Sequence, residues 1–383
     1  MPRYKDIFAD NLDFDTLKMK LSVEFPDAKI EKGKTILFLD EIQSCPNARV
    51  ALKSFALDVT IDVIASGSLM GLYQKEVSSY PVGYERAIEL LPLDFEEFLW
   101  ALNVSEEIIS SVREIFEKKS DLPATIANKM QEYFRQFMIV GGMPKVVSTF
   151  VESRDFQEVR VVQKEIIDSY KNDILKYASS PDRPKILKTF DSIPMQLSKK
   201  NKKFMFSEIS PDDNNVGERK YGSSILWLRD AGIINYCYNL AEPALPLASN
   251  RLLNSFKIYM RDTGLLVSML DYDIVKAIFS ADIKVNEGGI VENVVAEEIY
   301  SRYEDITFFE RRGKLEIDFV LNVDGVVAAV EIKSGNDRQD KSLRSVIENY
   351  KTVKRQIKFE LRDDIVVDEL GIKHYPLFMV MFL

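Results

Sequence analysis

The stretch EKGKTILFLDEIQSC, residues 31–45, contains two groups of side chains that could bind a nucleoside triphosphate. Its Gly33-Lys34-Thr35 matches the end of a phosphate-binding loop, G-x-x-x-x-G-K-[ST], whose backbone amides surround phosphates at the start of a helix. The loop needs its first glycine at position 28, which is Ala28, and Thr35 leads into the apolar run ILFL instead of a helix. We therefore predict that this segment is not a phosphate-binding loop.

The second group is the acidic pair Asp40-Glu41, which follows that apolar run directly. A short, wholly apolar run is typical of a strand buried in a parallel sheet. At the end of such a strand, Asp40 could hold Mg²⁺ through water and Glu41 could polarise an attacking water. The next predicted strand ends at Ser66-Gly67-Ser68, where a polar residue that senses the γ-phosphate would lie beside the pair. A strand end with no catalytic role is the alternative.

A second acidic constellation lies in KLEIDFVLNVDGVVAAVEIKSG, residues 314–335. Two alternating apolar runs flank Asp324-Gly325, which is a strong signal for a two-residue hairpin turn. With those two residues in the turn, Asp318 falls opposite Glu331 on the neighbouring strand, and alternation puts both on one face. The same counting places Glu316 opposite Lys333 on that face.

Opposed carboxylates repel each other, and a divalent cation between Asp318 and Glu331 would remove that repulsion. Lys333 beside them could stabilise a developing phosphorane charge. This D…ExK spacing resembles the restriction-endonuclease-like PD-(D/E)xK nucleases, which implies Mg²⁺-dependent phosphodiester cleavage. A helix acid often precedes the pair in those folds, and Glu292 is the matching candidate, with Glu287 the weaker one. A hairpin with a solvent-exposed polar face is the alternative.

Composition excludes other classes of active site. The 383 residues include a single histidine and two cysteines, so Ser-His-Asp catalysis, multi-histidine metal sites and a disulfide framework are not expected. The formal net charge of −9 argues against a surface that coats nucleic acid, although a local basic groove is compatible with it. No apolar run is long enough to span a membrane and the N-terminus has no signal-peptide core, so we expect a cytoplasmic protein with no membrane partner.

Strand-helix alternation in the first hundred residues predicts α/β architecture. The region from about 105 to 270 is mostly helical in pattern, and the remainder returns to strands. The N-terminal pattern predicts the following elements: an amphipathic helix at 11–25, strands at 35–39, 61–68 and 87–93, and a helix at 94–102 with Asp94 as N-cap and Glu97 at its third position.

The middle of the chain, KFMFSEIS followed by ERKYGSSILWLRDAGIINYCYN, has the rhythm of a winged helix. Arg219 and Lys220 would enter the recognition helix, which predicts contact with DNA. The alternative is a protein-packing helix, because Trp227 and Leu228 resemble core residues and several nearby acids oppose phosphate binding. Farther along, Asp262 in FKIYMRDTGLL is predicted to cap a helix.

Several blocks in the same order resemble prokaryotic AAA-type ATPases that carry a C-terminal domain of unknown function. The resemblance covers nearly the whole chain from Thr35 onward. It implies ATP and Mg²⁺ as cofactors, the acidic pair at Asp40 and Glu41, and the sensor at Ser66. The blocks are TILFLDEIQSCPNARVALKSFALD, DVIASGSLMG, YPVGYERAIELLPLDFEEFL, FMIVGGMPKVV, SYKNDILKYA, FMFSEIS, RKYGSSILWLRDAGIINYCYN, FKIYMRDTGLL and VEIKSG.

The sequence departs from that family before the acidic strand. The family's first strand, phosphate-binding loop and following helix should precede it, but only 34 residues stand before Thr35 and they contain no glycine-rich loop. We therefore expect a truncated ATPase, or a degenerate paralogue, with an incomplete P-loop-type parallel sheet and impaired hydrolysis.

The predicted architecture has three parts: an incomplete AAA-type α/β domain at 1–150, a helical, winged-helix-like region at 151–270 and an endonuclease-like α/β domain at 271–383. The function predicted from the resemblance is ATP binding and hydrolysis. A Mg²⁺-dependent nuclease and a non-catalytic DNA- or protein-binding module are the alternatives. DNA and a second copy of the chain are the partners considered.

Overall fold

The computed structural model describes residues 2–67, 83–199, 201–212, 216–280, 288–303, 305–311, 315–333 and 341–383. The chain forms two compact units, Met1–Leu90 and Leu91–Leu383. The predicted division at residues 150 and 270 stays a prediction. Across the described ranges, no helix is both long and apolar enough to cross a lipid bilayer.

The first unit packs two helices against a pair of parallel strands. Asp13 accepts a hydrogen bond from the Thr16 backbone, so the predicted N-terminal helix begins at Phe14. The predicted strands at 35–39 and 61–68 are confirmed in shorter form, with Leu39 paired to Ala65. Their predicted burial is wrong, since Ile36 and Phe38 are 63% and 60% exposed. The elements are α1 (Phe14–Glu24), β1 (Ile36–Leu39), α2 (Pro46–Asp58), β2 (Asp62–Ala65) and single 3₁₀ turns at Pro2–Phe8 and Ile42–Ser44.

The predicted third strand at 87–93 is wrong. Residues 85–94 have no regular secondary structure, and Ile88 and Leu90 are 78% and 92% exposed. Pro92 has no N–H to donate to a ladder, and among the described residues β1 and β2 pair only with each other. The apolar composition of this run therefore did not reflect burial in a sheet.

The second unit begins with a group of helices, and the predicted cap of the first one is confirmed. Asp94 and Glu97 form a reciprocal capping box, with hydrogen bonds of 2.9 and 3.0 Å. The helix that ends in IVGG stops at Gly141, whose φ of 75° is in the left-handed region. The helices are α3 (Phe95–Ala101), α4 (Glu106–Lys118), α5 (Ala124–Val140), α6 (Pro144–Ser153), α7 (Phe156–Tyr177), α8 (Arg183–Leu197), α9 (Glu218–Asp230), α10 (Thr263–Ser268), α11 (Tyr272–Phe279), α12 (Gly288–Tyr303) and α13 (Lys341–Asn349).

These helices surround a mixed sheet in which eight strands are described. The order across the sheet is β4-β3-β5-β6-β7-β8-β10-β9. The pairs β3–β5, β7–β8 and β8–β10 are parallel, and the others are antiparallel. The strands are β3 (Ile234–Leu240), β4 (Arg251–Met260), β5 (Ile306–Arg311), β6 (Leu315–Val323), β7 (Val326–Lys333), β8 (Val353–Glu360), β9 (Val366–Val367) and β10 (Lys373–Pro376).

The hairpin between β6 and β7 is confirmed together with its register. Val323 pairs with Val326 across the turn, and the pairing continues without a slip to Phe319 and Val330. Asp324 and Gly325 both have positive φ, 53° and 80°, as a two-residue hairpin turn of this kind requires.

The winged-helix interpretation stays a prediction, as does the contact of Arg219 and Lys220 with DNA. Helix α9 buries Ile225 and Leu228, and the strands that follow it belong to the eight-stranded sheet. The endonuclease-like classification of the C-terminal part stays a prediction as well.

Asp262 is confirmed as a helix cap, and it joins two helices that are far apart in sequence. Its carboxylate accepts from the Leu265 backbone at 2.7 Å at the start of α10. It also accepts from the Gly142 and Met143 backbones at 2.8 and 3.0 Å, just before α6 begins. These orphan donors would otherwise be buried without partners.

Helix α12 is buried along most of its length and supplies carboxylates to other elements. Glu297 accepts from the backbone and hydroxyl of Thr263, at 2.9 and 2.6 Å. Glu298 accepts from the Phe95 backbone at 2.7 Å, and Arg302 lies 3.2 Å from its other oxygen. Burial raises the pKa of Glu298 to about 7, although Arg302 opposes this shift.

The close contact between α10 and α5 predicts that Gly264→Ala destabilises the protein. A Cβ at position 264 would lie 2.2 Å from the Val140 carbonyl oxygen, so backbone would have to move. We expect a loss of about 3 kcal/mol in the free energy of unfolding, measured by urea denaturation. Gly222→Ala, inside α9 and no closer than 3.4 Å to a neighbour, is the control and should stabilise by about 0.5–1 kcal/mol.

The raised pKa of Glu298 predicts a pH-dependent contribution to stability. The folded state binds the proton more tightly than the unfolded state, so the contribution is full below the ordinary value of 4.5 and is lost as pH rises through about 7. Glu298→Gln keeps an acceptor for the Phe95 backbone and removes the titration. We expect it to reduce the loss of stability between pH 5 and 8 by about 2 kcal/mol in denaturation curves.

Asp273→Asn, which removes an exposed carboxyl from the same unit, is the control and should leave the pH profile as it is. A Glu298→Gln profile parallel to that of the unsubstituted protein would contradict the prediction.

Candidate functional site

In the first unit, the residues predicted for nucleotide chemistry lie together at one edge of the β1–β2 pair. Asp40 directly follows β1 and Ser66 directly follows β2, and because the strands are parallel their carboxyl ends are neighbours. The Ser66 hydroxyl donates to Asp40 Oδ1 at 2.5 Å. The Ser66 backbone continues the ladder by donating to the Leu39 carbonyl at 2.9 Å. Ser68, the other polar residue of this strand end, is outside the described residues.

Glu41 adopts a left-handed backbone conformation, with φ 54° and ψ 49°. This region is unfavourable for a residue with a Cβ, and such residues are concentrated at functional sites. The carboxylate accepts from Gln43 Nε2 at 2.5 Å. Gly67 lies beside it, and a Cβ there would lie 2.5 Å from Gln43 Oε1, so the Gln43 side chain would have to shift.

This donor set fits a hydrated magnesium ion. Asp40 and Glu41 are both exposed carboxylates at adjacent positions, and Mg²⁺ prefers one or two carboxylates and retains several waters. Asp40 would face the ion through water and Ser66 would hold the orientation of its carboxylate. When bound, magnesium would neutralise charge on the nucleotide's phosphates.

Gly33-Lys34-Thr35 has a local structural role, as its context in the sequence predicted. Gly33 has a φ of 73° in a turn before β1. Thr35 closes the turn by accepting from the Glu31 backbone at 2.9 Å, and Lys34 pairs with the Glu31 carboxylate at 2.8 Å. The turn is therefore held by contacts among its own residues, and it leads into β1 and not into a helix.

In the second unit, a cavity of about 310 Å³ gathers the four residues predicted from the nuclease-like pattern. Glu292 comes from α12, Asp318 from β6, and Glu331 and Lys333 from β7. The hairpin register explains why Asp318 and Glu331 are close together. They are the next residues beyond the paired Phe319 and Val330 on the side away from the turn. Lys202, Glu316 and Ser342 are among the other residues that line the cavity. Glu287, the weaker helix-acid candidate, is outside the described residues.

Each predicted side chain on the hairpin has a specific contact. Asp318 Oδ2 accepts from the Ile332 backbone at 2.8 Å, across the strand pair. Lys333 Nζ lies 2.9 Å from Glu331 Oε1. Burial raises the pKa of Asp318 to about 7, and the charge of Glu292 acts in the same direction.

Glu292 is held by three side chains that sequence reasoning did not identify. Lys257 Nζ lies 2.8 Å from Glu292 Oε1, and the Tyr259 hydroxyl donates to the same oxygen. Lys202 Nζ lies 2.7 Å from Glu292 Oε2. Burial alone would raise the pKa of Glu292, but Lys257 and Lys202 lower it to about 2.

Lys257 also pairs with Glu316 Oε1 at 2.9 Å, and its side chain is fully buried. Burial alone would lower its pKa, but the charges of Glu292, Asp318 and Glu316 raise it, so the ammonium remains protonated. The sequence carried a signal for this residue: Lys257 is the charged member of the apolar run SFKIYM, and a charge in a buried strand requires a partner.

The cavity does not fit the metal ion that the nuclease resemblance implies. In the described part of the chain, no group of three or more His, Cys, Asp or Glu side chains is arranged to hold a metal ion. Both oxygens of Glu292 already accept hydrogen bonds from ammonium groups. The metal-binding roles of Asp318 and Glu331 stay predictions.

Comparisons with known proteins divide the chain into three matched segments. Residues 4–99 match the AAA domain, 131–274 match a domain of unknown function (DUF8612), and 287–374 match another (DUF4143). An uncharacterized protein of Methanocaldococcus jannaschii is 25% identical over 364 residues, which are 91% of this chain and 71% of that protein. A solved Walker-type ATPase of Pyrococcus abyssi is 15% identical with a TM-score of 0.39, covering 67% of this chain and 68% of that one. Residues 4–99 are therefore similar to the AAA domain, and residues 287–374 are similar to the DUF4143 domain.

The buried contacts of Glu292 predict that Glu292→Gln destabilises the protein strongly. The substitution keeps the shape and removes the charge that compensates buried Lys257. We expect a loss of about 3 kcal/mol in the free energy of unfolding, measured by urea denaturation at pH 7.

Glu316→Gln is the matched control because the same lysine loses a partner that is 46% exposed. It should cost less than about 1 kcal/mol. Equal effects of the two substitutions would contradict the importance assigned to burial.

Proposed function

We propose that this chain is an AAA-type ATP-binding protein whose first unit supplies the acidic half of the nucleotide site. In this proposal Asp40 binds Mg²⁺ through water, Glu41 polarises the attacking water, and Ser66 senses the γ-phosphate. The observation that carries it is the 2.5 Å hydrogen bond between Ser66 Oγ and Asp40 Oδ1, at the carboxyl ends of adjacent parallel strands. The AAA domain match at residues 4–99 supports the same assignment.

The division of roles follows from where the two carboxylates lie. Asp40 continues the strand and is oriented by Ser66, so its position is fixed before any ligand arrives. Glu41 is turned away from the strand direction by its left-handed backbone, which aims its carboxylate differently from that of its neighbour. A fixed acid suits the coordination shell of the ion, and a second acid nearby suits the water.

The proposal also states that this chain binds the nucleotide weakly and hydrolyses it poorly. The motif G-x-x-x-x-G-K-[ST] does not occur in this sequence. Backbone amides at a helix N-terminus and the loop lysine normally supply much of the attraction for the phosphates. Two carboxylates repel a triphosphate, so the attraction between this acidic pair and the nucleotide depends on the bound metal ion.

Titration with a fluorescent ATP analogue tests this proposal. We expect the chain to bind the analogue with a dissociation constant on the order of 1 mM in the presence of Mg²⁺. Asp40→Asn should weaken the Mg²⁺-dependent binding by about tenfold, because it removes the carboxylate that faces the ion. Asp62→Asn, which removes an exposed carboxyl from the opposite end of β2, is the control and should bind as the unsubstituted chain does.

Two results would contradict the proposal. Micromolar binding would show that another part of this chain holds the phosphates tightly without that motif. Binding that is equal in the Asp40→Asn chain and the Asp62→Asn control would remove Asp40 from the site.

The second candidate function is a metal-dependent PD-(D/E)xK nuclease, which would require an ammonium group to leave Glu292 before a metal ion binds there. One observation favours it: Glu292, Asp318, Glu331 and Lys333 line one cavity. Nicking of supercoiled plasmid that requires Mg²⁺ or Mn²⁺ and is lost in Lys333→Ala would establish it. Salt-sensitive retention of DNA without cleavage would instead support the non-catalytic binding module.

A further inference from the structure

A fully buried lysine contacts two of the acids that line the second-unit cavity. Lys257 reaches from β4 toward the acids of α12 and β6, and its Nζ lies 2.8 Å from Glu292 and 2.9 Å from Glu316. The ammonium also lies 4.9 Å from the centroid of the Phe308 ring. An ammonium group has three N–H donors. Two carboxylates and one aromatic ring are therefore three favourable neighbours for it.

We propose that the ammonium group of Lys257 takes the place of a divalent metal ion at this acidic cluster. The negative charge of the acids is then compensated without a bound metal. This inference is independent of the nucleotide proposal, which concerns the first unit. It competes with the metal-dependent nuclease as an explanation of the same acids.

The occupancy of the Glu292 carboxylate is the first argument. Oε1 accepts from Lys257 and Tyr259, and Oε2 accepts from Lys202 at 2.7 Å. A metal ion would have to displace one of these donors from a residue that is almost completely buried. If Lys257 or Tyr259 were displaced, it would lose its partner in a fully buried position.

The charge of the cluster is the second argument. Lys257 and Lys202 bring two positive charges to the Glu292 carboxylate, and they would repel a divalent ion bound to the same acid. The acids are already balanced in part by these two residues, since the negative charge of Glu292 is shared between them. The attraction that would draw a metal ion into the cavity is correspondingly reduced.

The way Lys257 is built into the sheet is the third argument. It lies on β4, and Tyr259, two positions away on the same face, contacts the same Glu292 oxygen. A lysine that only paired with a surface acid would keep its ammonium in water, as long charged side chains usually do. Lys257 is instead fully buried, and its ammonium contacts Glu292, which is almost completely buried too.

Electron paramagnetic resonance of free Mn²⁺ tests the inference on the full chain. All proteins carry Asp40→Asn and Glu41→Gln, so that the acids of the first unit do not contribute a manganese site. We expect this parent to leave Mn²⁺ free at millimolar concentration. Lys257→Met should strengthen Mn²⁺ binding by at least about tenfold, because it removes a buried unit positive charge that repels the divalent ion.

Two matched substitutions separate charge from shape. Lys257→Arg keeps the positive charge and should leave Mn²⁺ free, as in the parent. Lys276→Met removes an exposed lysine from the same unit and should also match the parent. Binding gained by Lys257→Met should be lost again when Glu292→Gln is added, because the metal would occupy the position of the ammonium.

A parent that binds one Mn²⁺ and loses it on Glu292→Gln would overturn the inference, because the cluster would then accept a metal in the presence of Lys257. A folded Lys257→Met protein that gains no Mn²⁺ binding would overturn it equally. If Lys257→Met does not fold, the parent protein is tested by itself. Its melting temperature should be the same in Mn²⁺ and in EDTA. Stabilisation by Mn²⁺ that Glu292→Gln abolishes would refute the proposal.

Discussion

The burial of polar side chains on helix α12 is the constraint on which the second unit depends. A helix that is buried on all sides must satisfy each polar group it carries with another part of the protein. Asn293 exchanges hydrogen bonds with the backbone of Met260, Glu297 holds Thr263, and Glu298 holds Phe95. The same helix therefore joins β4, α10 and α3, which are far apart in the sequence.

Glu292 belongs to this series, and that explains why the second-unit cavity is arranged as it is. Its carboxylate needs a partner for the same reason as those of Glu297 and Glu298, and Lys257 provides it. Six residues farther along α12, Glu298 accepts from the backbone at a helix N-terminus, whereas Glu292 accepts from an ammonium group. The features that hold the fold together and the features that shape the cavity are consequently difficult to separate, and a change at Glu292 affects both.

Local patterns in the sequence predicted what is local in the structure. The turn at Asp324-Gly325, the capping box at Asp94 and the cap at Asp262 depend on residues within a few positions of each other, and each was confirmed. The hairpin register then brought Asp318 and Glu331 together without further information. The contact of Lys257 with Glu292 spans 35 positions and that of Phe95 with Glu298 spans 203, and no periodicity encodes such pairs. The run at 87–93 failed for the opposite reason: its composition was apolar, but a strand also needs a neighbour with which to pair.

The two acidic constellations look alike in sequence but differ in their surroundings, and this difference determines which of them suits magnesium. Both are pairs of carboxylates delivered by strands. Asp40 and Glu41 are exposed and hydrogen-bonded by the neutral groups of Ser66 and Gln43, so their charge is available to a hydrated ion. At the hairpin, by contrast, burial raises the pKa of Asp318 to about 7, which favours the neutral acid, and ammonium groups compensate the neighbouring carboxylates. A carboxylate attracts a cation only while its charge is uncompensated, so the exposed pair, despite its shorter and weaker sequence motif, is the better candidate for a metal.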